Sequence, residues 1–192
     1  MPIMGKISDS LQHKFGDRAQ VGIKGERFTA DELSRLFERD PNTWVFHDLT
    51  LPRWKSANLD HVVCRGDVIV VLDSKCWAPG RYWSLKGRVY RGWERFDPAE
   101  KIKLTPLVES LSRFLGSEFV ITPLVVIWPS RPGRIGTRYP LLSMKLPLNT
   151  PYCVGRNLAP VLRRILGPNT DVVNTDGLDK LAQLVKNKGS KS

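Results

Sequence analysis

The sequence has no Cys-x-x-Cys pair, no internal repeat, no low-complexity tract and no apolar run as long as a membrane span. Each absence removes a class of protein. The three cysteines, Cys64, Cys76 and Cys153, are an odd number without metal-binding spacing, which argues against a disulfide framework and against zinc. They read as reduced core thiols of a cytoplasmic protein. No stretch of about 20 apolar residues offers a transmembrane helix, and the opening MPIMGKISDSLQHKFG lacks the apolar segment of a signal peptide. Neither targeting nor a membrane is expected.

Acidic residues are scarce beside basic ones: 19 Asp and Glu face 30 Lys and Arg, giving a formal charge of +11 spread along the chain. Such a surplus suits a polyanionic partner, nucleic acid foremost, and equally suits a merely soluble basic protein. At 192 residues the chain can bury one core without staples. The expected organisation is an N-terminal arm over 1–17, a single mixed α/β domain over 18–186 and a flexible tail over 187–192.

Residues 21–39 carry a helical pattern, with Gly22, Glu26, Ala30, Leu33 and Phe37 at steps of three and four. A rival start at Thr29, whose Thr-Ala-Asp-Glu run is a capping box, leaves Glu26 just outside the helix. A strand is expected over 44–51. A second, more exposed hairpin is expected over 81–96 about Lys86-Gly87, with basic and aromatic residues interleaved. Beyond it the pattern predicts a helix over 97–115 kinked at Pro106, a buried strand over 119–128 interrupted near Pro123, and a Pro/Gly/Arg loop. A short strand within 141–148 and helices at 157–166 and 178–186 follow.

The most informative stretch is 58–77, NLDHVVCRGDVIVVLDSKCW. Two apolar β-type runs flank Gly66-Asp67, a two-residue type II′ hairpin turn in which Gly supplies the positive φ. That turn pairs Arg65 with Val68, Cys64 with Ile69, Val62 with Val71, and hence Asp60 with Asp73. Two opposed carboxylates repel unless something cationic sits between them, and Lys75 points to their face. An ordinary ion pair at the sheet rim explains Asp73 and Lys75 alone, but not Asp60 opposite them. The set matches metal-assisted phosphodiester hydrolysis. Mg²⁺ takes oxygen ligands and commonly only one or two protein carboxylates, a bound metal activates water, and an ammonium stabilises developing charge. Glu26 could add a third carboxylate. His61 and His47 belong to the opposite face and read as packed or hydrogen-bonded residues.

Glu26 in GIKGERF, Asp60 in NLDHVV, and Asp73-Ser74-Lys75 followed by Trp77 and Gly80 resemble the nuclease-related domain (NERD) family of the restriction-endonuclease-like, or PD-(D/E)xK, superfamily. The resemblance covers 21–128. It implies a restriction-endonuclease-like α-β-β-β-α-β core, here with extra C-terminal helices, and Mg²⁺-dependent cleavage of DNA with Mn²⁺ able to substitute. It also implies Glu26, Asp60, Asp73 and Lys75 as the catalytic set, with the metal on Asp60, Asp73 and Glu26. One position departs from the family pattern: Lys101 stands where a Gln is expected after Asp97-Pro98. Candidate nucleic-acid contacts are Arg81, Lys86, Arg88, Arg91, Lys101, Arg131, Arg134 and Arg138. RNA as substrate and a homodimer stay open. Two rival readings remain, a non-catalytic nucleic-acid-binding module on the same fold and a module whose basic surface meets an acidic protein.

Overall fold

A computed structural model describes residues 3–5, 16–51, 58–137, 144–168 and 174–185. The tail expected over 187–192 and most of the arm lie outside them. Of the arm, Ile3–Met4 forms an edge strand, β1. The first helix, α1, spans Gly16–Phe37, so the capping box at Thr29 is not used as a start and Glu26 lies within the helix. The reason is visible at Thr29. Its side chain is fully buried and its hydroxyl donates to the Gly25 carbonyl inside the helix instead of capping it.

There follow β2 (Thr43–Thr50), β3 (Asn58–Arg65), β4 (Val68–Trp77), β5 (Gly80–Leu85), β6 (Arg88–Arg91) and β7 (Glu94–Arg95). After them come α2 (Asp97–Glu100), α3 (Leu104–Leu115), β8 (Val120–Pro129), β9 (Ile135–Thr137), β10 (Tyr152–Val154), α4 (Leu158–Leu166) and α5 (Thr175–Leu184). A six-stranded sheet runs β1-β2-β3-β4-β8-β10. A smaller one runs β7-β6-β5-β9. The expected core order, α1, β2, β3, β4, α3, β8, is present as an α+β fold with mixed sheets.

Strand alternation divides the core in two. Leu33 and Phe37 of α1 and Leu158, Leu162 and Leu166 of α4 cover Val63, Val70, Leu72, Leu124 and Val126 on one face. Leu107, Leu111 and Leu115 of α3 and Leu178, Leu181 and Leu184 of α5 join a cluster with Val62, Ile69, Val71, Val125 and Ile127 of the other. Trp77, Tyr82 and Phe96, with ring centroids 4.8–5.1 Å apart, weld the small sheet to the second cluster.

Three expectations are corrected. The helix expected over 97–115 breaks at residues 101–103, so Pro106 sits in the first turn of α3, where a missing N–H costs nothing, and makes no kink. Pro123 does not interrupt β8: it pairs in register with Val71, while β10 covers only Val125 to Ile127 on the other side, so the ring lies where no ladder donor is required. Within 141–148, Met144 to Leu146 are irregular and Pro147–Asn149 is a 3₁₀ turn; the strand of this region is β10 instead. Residues 141–143 lie outside the described residues.

Two buried polar groups pin the sheet. Arg65, 8% exposed, donates from Nε to Thr43 Oγ1 (2.8 Å), from one terminal nitrogen to the Gly167 carbonyl (2.9 Å) and from the other to Asp40 Oδ2 (2.6 Å). It thereby fastens the ends of α1, β2 and α4 together. His47 and His61 face each other across β2 and β3 with their Nδ1 atoms 2.7 Å apart. The bond needs one Nδ1–H and one bare Nδ1, so both rings cannot be protonated together.

Burial lowers the His47 pKa from 6.5 to about 4 and pushes that of His61 well down, the neighbouring His47 adding to it. Folded values below the unfolded one mean that the unfolded chain takes up the extra proton. Stability is therefore complete above pH 6.5 and lost as pH falls toward the folded values. His47 alone should contribute about 3 kcal/mol to that loss. In urea titrations at pH 7 and pH 4, the wild type should lose this much more stability than His47→Gln. Equal losses in the two proteins would dismiss the assignment.

Candidate active site

The hairpin turn forms as its sequence predicts, with Gly66 at φ 59° and the pairing Arg65–Val68, Cys64–Ile69 and Val62–Val71 intact as far as His61–Leu72. One pair further the ladder stops. In place of a backbone pair at Asp60 and Asp73, the Asp60 carboxylate itself accepts the Ser74 N–H at 2.8 Å. On the other side of β3, the pairs His47–His61 and Leu49–Leu59 bracket Asp48, whose φ of 55° takes it out of the ladder. The sheet is thus opened at the level of Asp60 on both sides. The Ser74 N–H, left without a ladder partner on β3, and the carboxylate satisfy each other.

Asp73 and Lys75 point to the same face and form an ion pair, Nζ to Oδ1 2.6 Å, with side chains 19% and 34% exposed. Burial drives the Asp60 carboxyl well above the ordinary range, and the negative charges of Asp73 and Glu26 push the same way, while Lys75 and the Ser74 N–H oppose them. Burial alone would lower the Lys75 pKa. The carboxylates of Asp73 and Asp60, and more weakly Glu26, outweigh it and raise the pKa, so the side chain is an ammonium at neutral pH. The four predicted residues therefore act on one another electrostatically, although they come from three elements.

Glu26 reaches this group because α1 comes close to β4. At Gly25 a Cβ would stand 3.3 Å from the Cys76 Cβ and 3.4 Å from the Lys75 carbonyl carbon, tighter than ordinary packing. The neighbouring residue, Glu26, comes within electrostatic range of Lys75 as a result. A hydroxyl whose sequence context suggests only a helix cap fixes the register of this contact: Thr29 Oγ1 accepts from Ser74 Oγ and from Trp128 Nε1, both at 2.8 Å. Ser74 is the central residue of the Asp-Ser-Lys triplet. The local signal at Thr29 is that of a cap and gives no hint of this role, because its partners are 45 and 99 residues away.

The donor set suits a hard cation of modest demands. Among the described residues, Asp60 Oδ1 and Asp73 Oδ2 take no hydrogen bond, and the mutual repulsion that raises the Asp60 pKa is what a cation would relieve. Among the described residues no three His, Cys, Asp or Glu side chains form a group able to hold a metal ion. Two carboxylates with water and phosphate remain sufficient for Mg²⁺.

The basic candidates separate into groups. Arg81, Lys86, Arg88 and Arg91 lie on or between β5 and β6, where Lys86 and Gly87, at φ 48° and 76°, make the second hairpin turn. Arg131 and Arg134 are exposed in the loop after β8, and this loop folds against both the small sheet and α1: the Arg134 carbonyl accepts the Gly80 N–H and the Ser130 carbonyl accepts Lys24 Nζ. Lys101 is exposed in the break between α2 and α3. Arg138 lies outside the described residues. No helix among the described residues is long and apolar enough to cross a membrane.

Comparison with known proteins found no match among curated proteins and none among solved structures. The sequence model described as the nuclease-related domain matches residues 21–128, from the α1 turn that precedes Glu26 to the Trp128 that binds Thr29. That span is more than half of the chain and contains all four residues of the electrostatic cluster, and the chain belongs to the nuclease-related domain family.

Proposed function

We propose that this domain is a metal-dependent nuclease that hydrolyses phosphodiester bonds of DNA. The observation that carries the reading is the convergence of Asp60, Asp73 and Lys75, with Glu26 in electrostatic range, where the sheet opens. Asp60 and Asp73 would hold Mg²⁺, or Mn²⁺ in its place. The cation would supply an acidified water and neutralise charge on the scissile phosphate. Lys75, held as an ammonium by its carboxylate neighbours, serves as a donor to the phosphate oxygens and not as a base. The Ser74 N–H fixes one Asp60 oxygen, and the Thr29 hydroxyl fixes Ser74, so the carboxylates are oriented before substrate arrives. Lys24, Arg131 and Arg134 supply positive charge near the α1 side of the loop after β8 for the DNA backbone.

The test is supercoiled plasmid incubated with wild type and Asp73→Asn in Mg²⁺, Mn²⁺ or EDTA. Nicking by wild type that needs the metal and is absent from Asp73→Asn is the expected result; equal activity in both proteins marks a contaminant and defeats the proposal. The Asp73–Lys75 ion pair, which balances one carboxylate charge without a metal, favours a second reading as a non-catalytic nucleic-acid-binding module. Salt-sensitive DNA binding without metal-dependent cleavage would decide for it.

A further inference from the structure

Trp93 is 78% exposed, an unusual state for the side chain with the largest apolar surface. It is not on a frayed segment. Gly92 and Trp93 form the turn between β6 and β7 (Arg91 pairs Glu94), with Gly92 at φ 63°. The turn is anchored at both of its backbone groups: the Gly92 N–H donates to the Arg81 carbonyl at 2.9 Å, and the Gly92 carbonyl accepts Trp83 Nε1 at 2.7 Å. Beneath it Trp83 stacks on Tyr90, centroids 4.6 Å apart. A rigid platform therefore holds one indole out into solvent.

Beside this indole lies an open cleft of about 570 Å³ lined by Gly80, Arg81, Arg91, Gly92, Trp93 and Glu94. Arg91 is set in place before any ligand. Its stem lies across Gly80, where a Cβ would come within 3.1 Å of Arg91 Cγ, and its positive charge lies close enough to the buried Tyr82 hydroxyl to oppose the rise in pKa that burial causes there; that hydroxyl donates to the Ala78 carbonyl at 2.7 Å. Among the described residues neither Arg81 nor Arg91 is in an ion pair, whereas the nearby Arg95 is taken up by Asp97 and Glu100. Glu94 repels phosphate and accepts from base amino groups. The sugar–phosphate backbone thus belongs at the arginines and a base at the Trp93–Glu94 end.

We infer that this cleft is a subsite for an unpaired nucleotide, with the base stacked on Trp93 and the adjacent phosphate held by Arg81 and Arg91. A duplex offers no free base face to the indole, and a single-stranded or flipped nucleotide does. The chain runs on directly from Lys75 through Trp77 to Arg81, at most about 20 Å along an extended strand and less than the roughly 34 Å of one duplex turn. One nucleic acid can therefore span the cleft and the Asp60–Asp73 site. The inference rests on the nucleic-acid part of the function proposed above and not on cleavage.

The experiment measures binding of a labelled single-stranded oligonucleotide and a labelled blunt duplex in EDTA, where cleavage plays no part. Trp93→Ala should weaken single-strand binding about 5- to 150-fold and duplex binding less than about 2-fold, and Trp93→Phe should restore most of the loss. Arg81→Gln and Arg91→Gln should each reduce the single-strand salt slope by about 0.7. Wild-type affinity in Trp93→Ala overturns the inference, as does an equal loss on both substrates, or binding of an acidic polypeptide with none of either oligonucleotide. A Trp93 effect in a protein that never nicks plasmid upholds the subsite and defeats only the nuclease reading.

Discussion

Lys75→Ala is expected to lower metal-dependent plasmid cleavage by about 10²–10³-fold, the usual loss when one preorganised donor to a developing charge is removed. The ammonium is paired to Asp73 at 2.6 Å and is held charged by the surrounding carboxylates, so its removal takes away the cationic side chain that moderates the repulsion among Asp60, Asp73 and Glu26. Two consequences separate this account from a simple packing defect. Stability should fall by about 1–2 kcal/mol, less than for a fully buried pair because Lys75 is a third exposed, and Asp60→Asn added to Lys75→Ala should recover part of it. Activity should not be recovered by the same double change, since Asp60 is one of the two proposed cation ligands. Urea titration and plasmid nicking on the three proteins provide both readouts. Full activity in Lys75→Ala would remove Lys75 from the mechanism.

Arg65→Ala should cost about 3–5 kcal/mol of folding stability, the loss typical of breaking a buried, hydrogen-bonded ion pair from one side. The guanidinium has three partners in three segments, and its removal leaves Thr43 and the Gly167 carbonyl without a donor and Asp40 without its counter-charge. Arg65→Lys should rescue little, because one ammonium cannot reproduce a fork that addresses three acceptors. The pH dependence has a definite sign. Burial raises the Asp40 pKa, and the Thr43 hydroxyl, the Asn42 N–H and Arg65 together overcome it, leaving the carboxyl below 3.8. A depressed carboxylate stabilises the fold above its unfolded value and loses that contribution as pH falls through the folded one. The difference between wild type and Arg65→Ala should accordingly narrow below pH 3.8. A constant difference down to lower pH would assign the loss to packing alone.

Much of the site was legible because its parts are local. The Gly66-Asp67 turn fixes which residues of 58–77 face each other, and strand alternation then puts Asp60, Asp73 and Lys75 on one face and His61 on the other. The second hairpin at Lys86-Gly87 was legible for the same reason. The errors have a common origin as well. Pro123 reads as a strand breaker, yet β10 arrives beside β8 only from Val125 onward, which no inspection of 119–128 reveals. The helical period of 97–115 continues through residues 101–103, although the chain breaks there and buries Ile102 by another route.

The sequence by itself determined the hairpin register, the faces of the strands and the four charged residues that come together, since turn chemistry and a period of two act over a few residues. Tertiary structure alone decided that the ladder stops at His61–Leu72, that Asp60 takes the Ser74 N–H, that Thr29 ties the triplet to α1 and β8, and that Trp93 stands exposed beside Arg81 and Arg91. Each of these depends on groups from separate elements satisfying one another's hydrogen bonds and volume, and that condition exists only once the elements have packed.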